Sequence, residues 1–564
     1  MQIVVVGGVA GGMSFAARAR RLNESAEIIV LERGPYVSFA NCGLPYYVGG
    51  EIEDSSQLLL QTPASLASSL NLDVRTGHDV VSVDSRVQIV TAIHQGAEVT
   101  LSYDKLVLAP GATAARPGIP GIDQSSRVST LRTVDDALAM RATVERGVRR
   151  AVVLGAGFIG LEAAEALAMA GLETTIVELA SQVLPPLDRE NGWLINRELS
   201  QLGITTRTGV AAVEVVPGVS SDTVLLSDGT EIVADLIVLS VGVRPATGFL
   251  QSTGIETERG AIVVDEHGRT SLPNVFAVGD ATVSTDPITG VRRPVALAGP
   301  ANRAGRLVAD FVMNPETARP IPAPLGTSIV RVGSLTAAMT GANRASLVEA
   351  GIDFQTLHLH PAQHAGYFPG ASQIHITVHI ASSDGRILGA QAVGKDGVDK
   401  RIDIFAAAIR QGMLVADLID LDLAYSPPYG QAKDAINLAG MVGSNVLEGT
   451  LKLWYAEDLE EVIESALVLD VRSGEEVARG MLSGALHIPH TELRGRLDEV
   501  REAAGGRPVR VMCASGVRSA IAHRVLVQAG FDSASLSGGV LTLHAVLGED
   551  VDLFRVPGGV SGRM

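Results

Sequence analysis

The sequence predicts an α/β protein of several domains, on three observations. The stretch "QIVVVGGVAGGMSFAARARRL" reads as a buried strand, a glycine turn and a helix, and "AEIIVLE" follows as a second strand. The same order returns in "RAVVLGAGFIGLEAAEALAMAGLETTIVELA". The end of the chain alternates short apolar runs ("LVLDVRS", "RVMCAS", "SASLSGG") with helical stretches. Two strand–turn–helix–strand units imply two Rossmann-like domains, because parallel strands need a crossover helix between them. The tail has the size of an independent α/β domain.

In chain order, residues 1–115 and 247–322 are expected to form the first nucleotide-binding domain and 116–246 the second. "DKLVLAPGATAARPGIPG" and its later mirror "ADLIVLSVGVRPATGFL" read as strands leading into crossovers, and "NVFAVGDA" as a further strand. The Pro-rich "NPETARPIPAPLG" reads as a linker. Residues 323–446 mix strands such as "QIHITVHIA" with the helix "DKRIDIFAAAIRQGM". Residues 447–465 are expected as a second linker and 466–564 as the tail domain.

Composition excludes several roles. Apolar residues make up 46% of the 564, enough for several cores. A net charge of −17 disfavours a nucleic-acid or membrane-surface partner, which calls for a basic face. The opening "MQIVVVGG" lacks the basic segment of a signal peptide, and no apolar stretch reaches the ~18 residues of a membrane span. A cytoplasmic protein is expected. Two cysteines cannot build a disulfide framework, and no metal site is expected.

The clearest motif is Gly155, Gly157 and Gly160 in "GAGFIG", followed by Glu178 at the end of the next strand. Such glycines permit a tight turn, close approach of backbone to a pyrophosphate, and close helix–strand packing. Glu178 can accept hydrogen bonds from a ribose diol and would repel a 2′-phosphate. NADH is therefore favoured and NADPH left open. The first turn holds Gly7 and Gly12, with Val9 where the middle glycine would stand, and Glu32 as its ribose acceptor. Asp280 follows a glycine in "FAVGD", where backbone can approach a ligand. Two dinucleotide sites suggest one flavin and one nicotinamide.

The two thiols carry the remaining chemistry. Cys42 lies ten residues past Glu32, in the Gly- and Pro-rich "SFANCGLPYY". A buried inert thiol and a reactive one are both open on the residues alone. Cys513 sits at a strand-to-helix turn, "CASGVRS", where turn N–H groups stabilise a thiolate or hold the terminal sulfur of a persulfide, and Arg518 adds a cation.

Residues 1 to about 446 resemble the single-cysteine branch of the pyridine nucleotide-disulfide oxidoreductases: coenzyme A-disulfide reductases and their NADH oxidase and peroxidase relatives. The matching pieces are "GGVAGGMSFAARARRL", "SFANCGLPY", "GAGFIGLEAAE", "VGVRP", "LPNVFAVGDA", "PANRAGR", "LGTSIV", "HAGYFPGA" and "GVDKRIDIFA". The resemblance implies FAD on the first domain, with Gly7, Gly12, Glu32, Gly111 and Asp280 as contacts. It places Glu162 near the junction of flavin and nicotinamide. It makes 323–446 an α+β dimerisation domain, hence a homodimer, with Tyr367 and Tyr425 reaching the cysteine across the dimer. It also implies a coenzyme A site at Ser14, Arg18, Arg21, Ser38, Asn41, Asn302 and Lys433. Arg18 and Arg21 share one helix face, which is equally the pattern of a solvated face. The tail resembles a rhodanese domain over "LVLDVRSGEEVARGMLSGALHIPH", "CASGVRS" and "LSGGV".

The expected activity is an FAD-dependent, NADH-driven reduction of coenzyme A persulfide, polysulfide or coenzyme A disulfide through Cys42, with sulfane sulfur carried on Cys513. An NADH oxidase or peroxidase cycling through a sulfenic acid has no use for the two tyrosines and the tail. A non-catalytic redox sensor has no use for intact Cys42, Cys513 and Arg518.

Overall fold

A computed structural model describes residues 1–547 and the backbone of the strand Phe554–Arg555; the remainder of the expected tail domain lies outside the described residues. The chain divides into two compact units. The first holds Met1–Ser181 and Leu199–Gly326; the second holds Gln182–Glu198 and the chain from Thr327 onward.

The first unit carries two five-stranded parallel sheets. One orders Val275–Ala277, Lys105–Leu108, Gln2–Val6, Glu27–Leu31 and Asp73–Arg75. The other orders Thr205–Thr208, Glu173–Glu178, Arg150–Leu154, Leu236–Leu239 and Val128–Ser129. Their central strands are unbroken Val/Ile/Leu runs because both faces are covered. On the first sheet, helices Ala10–Leu22 and Ala298–Met313 cross at a pair of glycines. A Cβ on Gly305 would stand 2.2 Å from the Gly11 carbonyl oxygen, so only glycine allows this crossing. Each sheet has a three-stranded antiparallel companion, Asp79–Asp84 to Ala97–Ser102 and Ala212–Val216 to Glu231–Ala234.

The second unit opens with a five-stranded antiparallel sheet, ordered Ser328–Val332, Leu335–Gly341, Ile387–Gly394, Ile374–Ala381 and Phe354–Leu359. Helix Val398–Gln411 lies against it, between glycines in the left-handed conformation at both caps. Gln182–Glu198, expected within the second nucleotide-binding domain, belongs to this unit. Asn191 donates to Thr377 Oγ1 and Gln391 Oε1, both at 3.0 Å, and Asp188 Oδ2 lies 2.8 Å from His379 Nε2.

The tail is a parallel sheet ordered Leu453–Trp454, Ser533–Leu536, Val509–Met512, Leu467–Asp470 and Leu486–His487. The stretch 447–465, expected as a linker, is folded into it. Leu453–Trp454 is an edge strand and Leu459–Ser465 a helix that buries Leu459 and Val462. Trp454 explains why: its ring is buried in the tail's core and its Nε1–H donates to the Val511 carbonyl at 3.3 Å. Among the described residues, no helix is long and apolar enough to cross a membrane.

Candidate active site

The two glycine turns fold alike. Gly7 and Gly155 take φ of +103° and +102°, the left-handed region that only glycine enters freely. A Cβ on Gly12 would lie 2.0 Å from the Gly7 oxygen, and one on Gly160 2.0 Å from the Gly155 oxygen. Above Gly157 and Gly111 a Cβ would meet nothing within 4 Å, so backbone is bare to an approaching group. The two acidic residues have a role the sequence did not suggest. Glu32 accepts from Gly8 N–H at 2.7 Å and Gly34 N–H at 2.8 Å. Glu178 accepts from Ala156 N–H at 2.7 Å and Ala180 N–H at 2.8 Å. Each carboxylate thus pins the turn beside it and keeps a second lone pair per oxygen for a diol. The residues present fit a dinucleotide in each cradle.

Cys42 lies in the single turn Asn41–Gly43 that leads into helix Leu44–Val48. Its thiol is exposed. The protein packed around it is the main cause of its raised pKa; Glu162 adds to the rise, Arg132 opposes it, and Asp280 adds a smaller push. Arg132 donates to Asp280 at 2.7 Å, and its carbonyl accepts from Asn41 Nδ2 at 3.1 Å. Glu162 accepts from the Tyr46 hydroxyl at 3.3 Å. The structure therefore brings Asn41, Cys42, Glu162 and Asp280 together, and adds Arg132 and Tyr46. No motif marks Arg132, which is 90 residues along the chain from Cys42.

Of the residues expected to hold coenzyme A, Ser14 donates to Asn302 Oδ1 at 2.6 Å, joining the two crossing helices. Arg18 is not a free cation; it pairs with Asp310 at 2.5 Å. Arg21 is exposed. Ser38 takes φ of +47°, unusual for a serine, and its N–H donates to the Gly8 carbonyl at 2.9 Å, tying the thiol's loop to the first glycine turn.

Tyr367, Tyr425 and Lys433 belong to the second unit. The two tyrosine hydroxyls lie 3.4 Å apart on exposed loops, and their hydrogen bond raises the Tyr367 pKa. Lys433 is exposed beside them in sequence. Beneath the loops is a residue the sequence reading passed over. Arg401 is 1% exposed, pairs with Asp434 at 2.8 Å, and donates to the Gln363 carbonyl at 2.7 Å. Asp434 caps helix Ala435–Leu447, so one buried pair fixes both tyrosine loops.

Cys513 is fully buried. Its sulfur accepts from Gly516 N–H at 3.2 Å and lies 3.3 Å from Ser519 Oγ. Helix Val517–Gln528 starts immediately after, from Gly516 at φ +93°. Arg518, expected as a cation for the sulfur, makes two bonds of 2.6 Å to Glu476. That pairing holds the Glu476 carboxyl down to about 2. Glu476 was legible only as the partner of Ser473 in a helix-capping box, which it also forms. Among the described residues no acidic, histidine and cysteine group could hold a metal ion.

Comparison with known proteins fits this anatomy piece by piece. The model of the pyridine nucleotide-disulphide oxidoreductases matches residues 1–305, that of their dimerisation domain 327–435, and that of the rhodanese-like domain 455–544. A coenzyme A disulfide reductase of Staphylococcus haemolyticus is 32% identical over 443 residues, 78% of this chain and 98% of its own. The crystal structure of reduced Bacillus anthracis CoADR-RHD superposes with a TM-score of 0.95 at 38% identity, covering 97% of this chain and 98% of that one. An NAD-dependent persulfide reductase from A. fulgidus gives 0.90 at 36% identity, over 96% and 100%. Two glycine-turn cradles and an exposed thiol thus lie within the oxidoreductase match and the second thiol within the rhodanese-like match, and the chain belongs to the pyridine nucleotide-disulphide oxidoreductase family, with a rhodanese-like domain at its end.

Proposed function

We propose that the protein reduces coenzyme A persulfide, polysulfide or coenzyme A disulfide at Cys42, using NADH, while Cys513 carries sulfane sulfur. The observation that carries this reading is the isolation of Cys42. It is the exposed thiol of two, set between a carboxylate that opposes the thiolate and a guanidinium that favours it. With no second cysteine beside it, its disulfide partner must come from outside.

Gly7, Gly12, Glu32, Gly111 and Asp280 would hold FAD, and Gly155, Gly157, Gly160 and Glu178 would hold NADH. When bound, the pair would supply two electrons. The Cys42 thiolate attacks one sulfur of the substrate, the S–S bond breaks, and the other sulfur leaves as a thiolate. Two electrons and a proton then release the thiol left on Cys42 and restore its thiolate. Burial disfavours the thiolate most, Glu162 restrains it further and Arg132 supports it. Tyr367 and Tyr425 are suited to donate hydrogen bonds to the departing thiolate. Ser14, Arg18, Arg21, Ser38, Asn41, Asn302 and Lys433 are the groups proposed to bind coenzyme A, and Arg18 must leave Asp310 to do so. The working form is proposed to be a cytoplasmic homodimer.

The test is anaerobic NADH consumption with coenzyme A persulfide and coenzyme A disulfide offered separately to wild type, Cys42→Ser and Cys513→Ser. The reading expects Cys42→Ser to be inactive with both. Persulfide as the better substrate, with sulfide released, makes sulfur reduction the function. A preference for disulfide that Cys513→Ser leaves unchanged makes it a thiol-pool reductase.

A further inference from the structure

The tail does not stand apart from the block before it. His358 and His360 sit at the end of the edge strand Phe354–Leu359 and reach into the tail. His358 Nδ1 lies 2.8 Å from Ser537 Oγ, and His360 Nε2 lies 2.8 Å from Thr542 Oγ1. Behind them, His358 Nε2 meets Glu190 at 2.8 Å and His360 Nδ1 meets His375 at 2.8 Å. Both nitrogens of both rings are therefore engaged, which fixes the rings' orientation.

Ser537 and Thr542 flank a turn, Gly538 and Gly539, that is the wall of the Cys513 loop. Val540 N–H donates to the Cys513 carbonyl at 2.8 Å, and Leu541 N–H to the Ala514 carbonyl at 3.0 Å. Gly538 faces Gly516, the residue whose N–H points at the Cys513 sulfur. No side chain fits between these layers. A Cβ on Gly538 would lie 2.7 Å from the Cβ of His358 and 2.9 Å from His360 Nε2, and one on Gly539 2.4 Å from the Cys513 oxygen.

We infer that His358 and His360 are positioning residues for sulfur transfer at Cys513: the dimerisation block holds the turn that shapes the sulfur-carrying loop of the tail. The inference rests on the reading of Cys513 as a sulfur carrier. In that step the Cys513 thiolate attacks the outer sulfur of a donor such as thiosulfate. A Cys–S–S bond forms, the donor S–S bond breaks, and sulfite leaves with the electron pair. The loop's N–H groups take up the charge on the new terminal sulfur. A turn freed from the histidines lets those donors drift, and loss of alignment costs rate more than binding.

The experiment uses the full chain with thiosulfate as donor and follows the gain of one sulfur atom on Cys513 by mass. Variants approach the contact from both sides: His360→Ala and His358→Ala in the block, Thr542→Val and Ser537→Ala in the tail. Each is expected to slow sulfur uptake roughly ten- to a hundredfold at unchanged half-saturating thiosulfate. His360→Gln, which keeps a donor for Thr542, is expected to recover much of it. Calorimetry shows whether the tail stays folded, and alkylation of Cys513 by iodoacetamide, expected to quicken in the variants, reads the loop without any sulfur chemistry. Uptake and alkylation at wild-type rates in all four variants overturn the inference. A wild type that takes up no sulfur, while the variants still alkylate faster, overturns the sulfur-carrier reading and leaves the histidine-held loop standing.

Discussion

Burial raises the Cys42 pKa most, and three charged side chains act on the thiol besides; their signs are testable one at a time. Glu162 raises the thiol pKa, so Glu162→Gln lowers it and increases the thiolate at neutral pH. Iodoacetamide is expected to label Cys42 a few times faster in that variant, and Arg132→Gln is expected to slow it. Gly160→Ala forces a methyl into the Gly155 carbonyl, an overpacking of about 1–3 kcal/mol. Steady-state kinetics should show KM for NADH rising by roughly five- to a hundredfold, with flavin content unchanged. At this scale the sequence was partly legible. Glycines and ribose acceptors follow from local spacing, but Arg132 and Glu162 reach Cys42 only through folding. Glu32 and Glu178 hid a second role, since nothing in a strand-end carboxylate tells that it will cap the preceding turn.

Among the elements, the tyrosine loops depend on the buried Arg401–Asp434 pair. Removing one partner strands a charge, at a cost of about 3–5 kcal/mol. Arg401→Leu should lower the unfolding free energy of the second unit by that amount, read from urea titration, and release both loops. The histidine seam adds a pH dependence. Burial, aided by Arg197, depresses the His375 pKa to about 4, and burial with His375 and His358 depresses that of His360 far below the usual 6.5, with Glu190 opposing. A depressed histidine keeps the folded state neutral. Its contact is at full strength above about pH 6.5, and the unit loses stability as pH falls from there through about 4. Calorimetry of the second unit between these values should show the loss, and His375→Phe should make it shallower, leaving the part that burial of His360 contributes. The strands and helices around these features were legible from periodicity. The folded stretch at 447–465 was not, because a two-residue edge strand has no period and is specified by Trp454 finding the tail's core.

For the whole molecule, two repeated glycine motifs and the spacing of the tail's loop announce three α/β modules, and the structure has two parallel sheets with glycine turns and a third parallel sheet in the tail. The sequence could not show that Gln182–Glu198 joins the dimerisation block, because Asp188, Glu190 and Asn191 find their partners in strands nearly two hundred residues away. The account's central claim is that one thiol per chain does the reduction by bonding to an external thiol. The direct measurement is to reduce the holoenzyme anaerobically, add one equivalent of coenzyme A disulfide, quench in acid and weigh the intact chain. The account predicts one coenzyme A per chain, on Cys42, removable by a dithiol and absent in Cys42→Ser. A chain that turns over NADH but never carries coenzyme A, and shows a sulfenic acid on Cys42 with peroxide instead, would contradict it.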